Sequence, residues 1–254
     1  MRFWQSRKQG EANTMHVYRF YVPIKPQIGV VSLSGDVAHR ICNVLRKRVG
    51  DEVVLTDGCG HEMRARIVEM QRGKVTVAVE EVTQPSRESE MLVCVAASIL
   101  KGERFELLIQ KAVEVGVREI LPLLSCRTVA RISDAEKKRS RWLSIAISAM
   151  EQSGGCVLPR IYEPMKLEEA LQALSSFDVK LILHERASKM MRELVNELRG
   201  IKSAAIFVGP EGGFDDSEVE LALACGAIPV CLSKRILRAE TAAIVGASIL
   251  VHCL

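Results

Sequence analysis

The 254-residue chain has no run of 18 or more uncharged apolar residues; its longest candidate, Ala239 to Leu254, carries Glu240 near its start. A bilayer core needs roughly 20 such residues in a helix, so no membrane-spanning helix is expected. The opening MRFWQSRKQGEANT lacks the apolar stretch of a signal peptide, and a cytoplasmic location is expected. Eight cysteines are present, at 42, 59, 94, 126, 156, 225, 231 and 253, yet no C-x-x-C pair occurs among them. Zinc and redox sites want that close spacing, so no metal is implied. Most of these cysteines stand beside Val, Leu or Ala and are read as reduced thiols acting as small hydrophobes. G-x-G-x-x-G and P-loop patterns are missing as well, which leaves ordinary dinucleotide and Walker-type ATP sites without support.

What is present is globular: 48% hydrophobic and 26% charged residues, with a mean hydropathy of +0.12. That composition excludes wholesale disorder. The net charge is 35 − 31 = +4. Residues 1–90 hold 14 Lys/Arg against 11 Asp/Glu, and the remainder 21 against 20. Arg40, Arg46, Lys47 and Arg48 account for much of the excess, with Arg19 upstream. The cluster reads as a solvated face or as a site for phosphates; charge alone does not decide.

The pattern changes near residue 86. From His16 to Thr83 short β-like runs alternate with turn signals, Asp57-Gly58 and Arg72-Gly73 falling where hairpin turns belong. Ala38 to Arg48 reads as the only helix there, with Ile41, Val44 and Leu45 on one face. This half is read as a small β-barrel, and Gln84 to Ser89 as a linker. From Met91 longer elements alternate: an apolar strand at MLVCVAASIL, a helix Glu103–Val115 closed by Gly116, a strand Glu119–Leu124, and helices Lys138–Met150 and Leu167–Leu174. The strand Lys180–Leu183 and a helix around Met190 to Leu198 follow. Alternation of this kind means a parallel sheet covered on both faces.

Near the C-terminus, the strand Ala204–Val208 leads directly into Gly209-Pro210-Glu211-Gly212-Gly213-Phe214, and Asp215 with Glu218 forms a capping-box pattern for the next helix. A Gly-rich loop between strand and helix lies at the carboxyl edge of a parallel sheet, where α/β proteins bind ligands. Its glycines let the backbone approach a flat ligand, although a tight turn is the plainer reading of the loop alone. The strand Ala227–Leu232 and the segment Ser233 to Ala242 then run into a last helix, Ala242–Leu254, apolar nearly all round. Such a helix is core or a subunit interface.

VGPEGGF paired with LSKRILRAETA about twenty residues later resembles the SPOUT methyltransferases, and within them the RsmE family, which methylates N3 of a uridine in small-subunit ribosomal RNA. VYRFYVP, NVLRKRVGDEVVLTDGCG, KGERFELLIQKAVEVGVREILPLLSCRTV, RWLSIAISAMEQSG and LILHERA are similar to the same family, over residues 15–254. The resemblance implies an α/β SPOUT domain over 87–254 with a C-terminal deep trefoil knot, preceded over 15–86 by a small PUA-like β-barrel that helps hold RNA. Residues 1–14 have no counterpart in the family, Met15 matches a natural start, and the extension is expected to be disordered.

The resemblance further implies S-adenosylmethionine as cofactor, a homodimer formed through the knot domain, and ribosomal RNA or the small subunit as partner. Val208, Gly209, Pro210, Glu211, Gly212 and Gly213 would form one wall of the cofactor pocket. Leu232, Ile236, Leu237 and Arg238 would form another, completed by Thr241 and Ala242, with Leu183 and His184 as additions. Uridine N3 must lose a proton while its carbonyls gather charge, which Arg238 is expected to stabilise. Glu240 or Glu211 would receive the proton; for both, a structural cap or ion pair is the plain alternative. Arg238 precedes an apolar helix and would otherwise be a buried charge. Arg19, Arg40, Arg46, Lys47, Lys101, Arg104, Lys111 and Arg127 are candidates for tracking phosphates once the target base has left its stack.

Two positions depart from the family pattern: Gly155-Cys156 stands where an arginine often follows EQSG, and Ser233-Lys234 stands where Gly-Pro usually precedes R-I-L-R. The rival readings are a SPOUT enzyme acting on another RNA nucleotide and an RNA-binding module whose catalysis has decayed. Intact GPEGG and ILRAET segments count against decay.

Overall fold

A computed structural model of the chain describes residues 17–128 and 135–253 and divides it after Gln84 into two compact units. The expected disorder of residues 1–14 lies outside the described residues.

The first unit holds β1 (Arg19–Tyr21), β2 (Gly29–Ser34), α1 (Gly35–His39), a π-helical turn (Arg40–Val44), β3 (Glu52–Thr56), β4 (Glu62–Gln71) and β5 (Lys74–Thr83). Its five-stranded sheet runs β1-β3-β4-β5-β2, with only the β1–β3 pair parallel. Alternation along the strands sorts side chains between core and solvent: Val75, Val77 and Val79 are buried with Met63, Ala65, Ile67 and Phe20. Both expected turns are present. Gly58 and Gly73 adopt φ of +74° and +75°, the left-handed region that favours glycine.

The helix of this unit differs from expectation. It starts earlier, widens into the π turn and ends by Val44, and Val44 is 62% exposed while Ala38 and Ile41 are buried. At roughly 100° per residue, Val44 lies well off the face that Ala38 and Ile41 define.

The second unit alternates β6 (Leu92–Ser98), α2 (Arg104–Glu114), β7 (Glu119–Leu124), α3 (Ala135–Ser153), β8 (Arg160–Ile161), β9 (Met165–Lys166), α4 (Leu167–Ala173), β10 (Val179–Leu183), α5 (Met191–Leu194), β11 (Ser203–Val208), α6 (Asp216–Ala224), β12 (Ile228–Val230) and α7 (Ala239–Cys253). The seven strands are all parallel, in the order β12-β10-β11-β6-β7-β8 with β9 also on β7. Phe105, Leu108, Ile109, Ala112 and Val113 of α2 are buried as their spacing requires, and Gly116 ends the helix at φ +93°. Opposite faces of the sheet are covered by different helices. Phe207 packs in one cluster with residues of α4 and α6, whereas its neighbour Ile206 meets α7 at Gly246, where an added Cβ would overlap the isoleucine.

Several boundaries move. The helix expected at Lys138–Met150 lengthens to Ala135–Ser153, the one expected near Met190–Leu198 is one turn, the last strand shortens to Ile228–Val230, and α7 begins at Ala239. The cysteine reading also needs correction. All eight thiols are free, but only Cys94 and Cys156 are buried, while Cys59, Cys126, Cys225 and Cys253 are exposed. Apolar neighbours in sequence point to the opposite face of a strand or to another side of a helix as often as they share burial.

Candidate active site

Parallel pairing brings several strand ends to one edge. Val208 lies opposite Ala97, Ile182 opposite Phe207, and Leu183 opposite Val230. The segments 99–103, 184–190, 209–215 and 231–238 therefore all leave from the carboxyl edge of the sheet, where ligands bind in open α/β folds. Two of them pair: His184 N–H donates to Val230 O at 3.0 Å, and Cys231 exchanges bonds with Lys189 and Met191. Helix α7 runs back toward the opposite edge. Val251 near its end accepts from Ser89 Oγ and packs at Gly116, so its first residues, Ala239 and Glu240, stand at the carboxyl edge.

The Gly-rich loop is tight because it must be. Gly213 N–H donates to Pro210 O at 2.9 Å, closing a turn with Gly213 at φ +71°. A Cβ on Gly209 would approach Phe214 N to 2.8 Å. Gly209 and Pro210 are buried, whereas Glu211, Gly212 and Gly213 face solvent. The helix beyond is capped as its sequence indicates: Asp215 accepts from Ser217 N–H at 3.2 Å, and Glu218 accepts from Asp215 N–H at 2.9 Å. The Ser217 bonds hold the Asp215 carboxyl below its ordinary range.

Glu218 does more than its sequence pattern shows. Buried at the base of the loop, it also accepts from Cys126 N–H (3.0 Å) and Ser125 Oγ (3.3 Å), fastening the β7 exit to the start of α6. That link spans over ninety residues, and no local signal announces it.

Two arginines grip the same loop from outside. Arg104 donates to Glu211 Oε1 at 3.2 Å, and Lys101 N–H donates to that oxygen at 3.3 Å. Arg127 donates to Gly212 O at 2.9 Å and to Asp215 Oδ2 at 3.0 Å. Three RNA candidates, Lys101, Arg104 and Arg127, thus stand with Glu211 and Gly212. Lys101 and Arg104 also line an open groove of about 690 Å³ with Leu107, Gln110 and Ile145. Lys111 is not part of this group; it pairs with Glu114 within α2 at 2.8 Å.

The other RNA candidates belong to the first unit. Arg19 pairs with Glu62 at 3.2 Å, Arg40 lies over the Phe20 ring, and Lys47 lies over Tyr18. Arg46 is exposed at φ +50°.

In the segment before α7, Leu232 and Leu237 are half-buried and Ile236 is 86% exposed. Arg238 is exposed, which corrects the expectation of a buried charge. It occupies the position before the first helical turn, where its carbonyl accepts from Ala242 N–H at 2.8 Å while the side chain projects to water. Thr241 is exposed and Ala242 half-buried. Ser233 accepts from Arg235 N–H at 3.0 Å, a side-chain turn in place of the usual Gly-Pro. At the other departure, fully buried Cys156 gives its N–H to Glu88 at 2.7 Å, an internal tie.

Glu240 contrasts with Glu211. Its side chain is buried, and Oε2 has no hydrogen-bond partner among the described residues. Ser98 Oγ at the end of β6, which the sequence pattern did not single out, is likewise buried without one. Among the described residues no group of His, Cys, Asp and Glu is placed to hold a metal ion, and no helix is long and apolar enough to cross a membrane.

An RNA methyltransferase domain family matches residues 87–251, and an RNA methyltransferase PUA domain family matches residues 33–80. The ribosomal RNA small subunit methyltransferase E of Bacillus subtilis is 34% identical over 218 residues, covering 83% of this chain and 85% of that protein. The Neisseria gonorrhoeae enzyme of the same name, solved bound to S-adenosyl methionine, superposes with a TM-score of 0.85 at 32% identity, over 92% of this chain and 97% of that one. A putative methyltransferase from Legionella pneumophila, also solved with S-adenosylmethionine, gives 0.86 at 35% identity over 92% and 96%. With a parallel sheet that gathers the glycine-rich turn and the segment before α7 at one edge, and with these likenesses along nearly its whole length, the chain belongs to the ribosomal RNA small subunit methyltransferase E family.

Proposed function

We propose that the chain transfers a methyl group from S-adenosylmethionine to N3 of a uridine in small-subunit ribosomal RNA, acting in the cytoplasm as a homodimer. The observation that carries this reading is the likeness over 92% of the chain to two structures solved with that cofactor. The carboxyl edge of the sheet fits the cofactor: Gly212 and Gly213 offer exposed backbone, Leu183, Leu232 and Leu237 offer half-buried apolar surface, and one buried carboxylate oxygen lacks a partner among the described residues. Such a site reads an adenine by amides and carbonyls, without the lysine a phosphate would want. Val208 to Gly213 form one wall in this reading; Leu232, Ile236 to Arg238, Thr241 and Ala242 form another, with His184 beside Leu183.

A trefoil knot is supported by the strand order. β11 inserts between β10 and β6, β12 passes outside β10, and α7 then returns to pack on β11 and β6. Half-buried Ile244 and Ile249 and exposed Val245 on α7 support a partner subunit there.

S-adenosylmethionine supplies a methyl already activated by its sulfonium. The protein's share is alignment and charge. Arg238, exposed at the edge, reaches a uracil carbonyl and stabilises the charge that grows as N3 loses its proton. Glu211, open to solvent and held in place by Arg104, takes that proton directly or through water. Lys101, Arg104 and Arg127 on the knot domain, with Arg19, Arg40, Arg46 and Lys47 on the PUA-like unit, hold RNA phosphates.

Deleting the gene tests the proposal. N3-methyluridine near the 3′ end of the small-subunit RNA is expected to disappear, and the purified chain with S-adenosylmethionine to restore it. Persistence of the mark refutes the assignment of target. Failure to bind the cofactor, with RNA binding intact, favours a decayed binding module.

A further inference from the structure

The described residues include four buried carboxylates, Asp57, Glu151, Glu218 and Glu240. Asp57 accepts from Cys59 N–H, His61 N–H and His61 Nδ1, and Glu218 accepts three hydrogen bonds. Glu151 also has a partner. Glu240 alone of the four keeps a buried oxygen, Oε2, without any partner among the described residues, at 6% exposure. A buried charge left unpaired is costly, and a native structure keeps one where function supplies the partner.

Glu240 stands in the first turn of α7, at the edge where the proposed cofactor walls meet. RNA brings hydrogen-bond donors, uridine N3–H among them, but being anionic it brings no cation to a carboxylate. The cofactor brings two, a sulfonium and an α-ammonium. A carboxylate on the sulfonium would favour the charge that disappears during transfer, stabilising the reactant over the transition state. The ammonium keeps its charge throughout and donates hydrogen bonds, which the sulfonium does not.

Resting on the cofactor reading above, we infer that Glu240 is the anchor for the α-ammonium of S-adenosylmethionine, a binding residue and not the acceptor of the N3 proton. With Oε2 buried and without a partner among the described residues, the Glu240 carboxylate opposes stability until the cofactor arrives.

Calorimetry on the full chain and Glu240→Gln tests this with three ligands: S-adenosylmethionine, S-adenosylhomocysteine, and 5′-methylthioadenosine, which lacks the amino-acid end. Glu240→Gln is expected to weaken the first two alike, by about 10- to 100-fold, and to leave the third unchanged. Without ligand, Glu240→Gln is expected to melt at a higher temperature than wild type, because the substitution removes the charge from a buried carboxylate whose Oε2 has no partner among the described residues. A residue of merely structural value would lower it. Unchanged affinity for the first two ligands with lost turnover makes Glu240 the proton acceptor and overturns the inference alone. Selective loss of S-adenosylmethionine over S-adenosylhomocysteine assigns the sulfonium and overturns it too. If wild type binds none of the three, the cofactor reading falls and the inference with it.

Discussion

The glycines of the loop after β11 make separable predictions, and Gly209→Ala is the sharpest. A Cβ built there would stand 2.8 Å from Phe214 N and 3.0 Å from Gly213 C. Both are backbone atoms in a closed turn, so no rotamer change relieves the overlap. Reaching an ordinary separation requires a shift of roughly 0.7 Å in residues 213–214. Overpacking of this kind costs about 1–3 kcal/mol, and near 2 kcal/mol lowers the melting point of a domain this size by about 4–8 °C. The shifted turn also moves Gly212 and Gly213 of the proposed cofactor wall, so affinity for S-adenosylmethionine is expected to fall about tenfold or more. Gly212→Ala is the internal control: the nearest atom, Arg127 Cδ, is 3.7 Å away, and stability should stay within about 0.5 kcal/mol. Gly213→Ala meets no atom within 4 Å but must hold φ +71°, at a cost of about 1–2 kcal/mol. Thermal melts and calorimetry on the three variants decide the matter. Wild-type melting and affinity in Gly209→Ala would refute the steric argument.

Further outcomes follow from the surrounding bonds. Glu218→Gln replaces an acceptor by a donor against Cys126 N–H, Ser125 Oγ or Asp215 N–H, and should cost about 1–3 kcal/mol in chemical denaturation. Arg104→Gln loses an exposed pair with Glu211, so its stability change should stay below about 1 kcal/mol. Its RNA affinity should nevertheless drop, with the slope of log K against log salt falling by about 0.7 in a salt titration on single-stranded RNA. Burial, then the 2.9 Å bond it donates to Glu119, pushes the Tyr162 hydroxyl up to about 12. The raised value favours the protonated, folded form: the contribution is complete below pH 10 and is lost as pH rises through 12. Burial raises Tyr21 as well, so ultraviolet titration should show Tyr162→Phe removing the tyrosine that ionises near 12 while the Tyr21 shift remains.

Much of the fold follows from local pattern. Alternation at Lys74 to Val79 and helical spacing from Phe105 to Val113 depend on periodicity within a dozen residues, and both faces are buried as that periodicity requires. The capping box at Asp215 and the turns at Gly58 and Gly73 are equally local. Val44, the cysteines and Arg238 went the other way, since which side of an element meets the core depends on partners far along the chain. Arg238 adjoins an apolar helix in sequence, yet its side chain leaves before that helix enters the core.

The two-part organisation, the parallel α/β character of the larger unit and the segments that carry the family's motifs are all legible along the chain, because each is written in spacing and in residues whose backbone conformations few others tolerate. Tertiary structure alone decided the strand order β12-β10-β11-β6-β7-β8, the joining of Ser125 and Cys126 to Glu218, and the difference between Glu211 and Glu240. Both glutamates are acidic residues in motif segments. Only packing set one in water beside Arg104 and buried the other in the first turn of α7, with an oxygen that has no partner among the described residues. Burial and hydrogen-bond satisfaction are sums over neighbours distant in the chain, which no local reading contains.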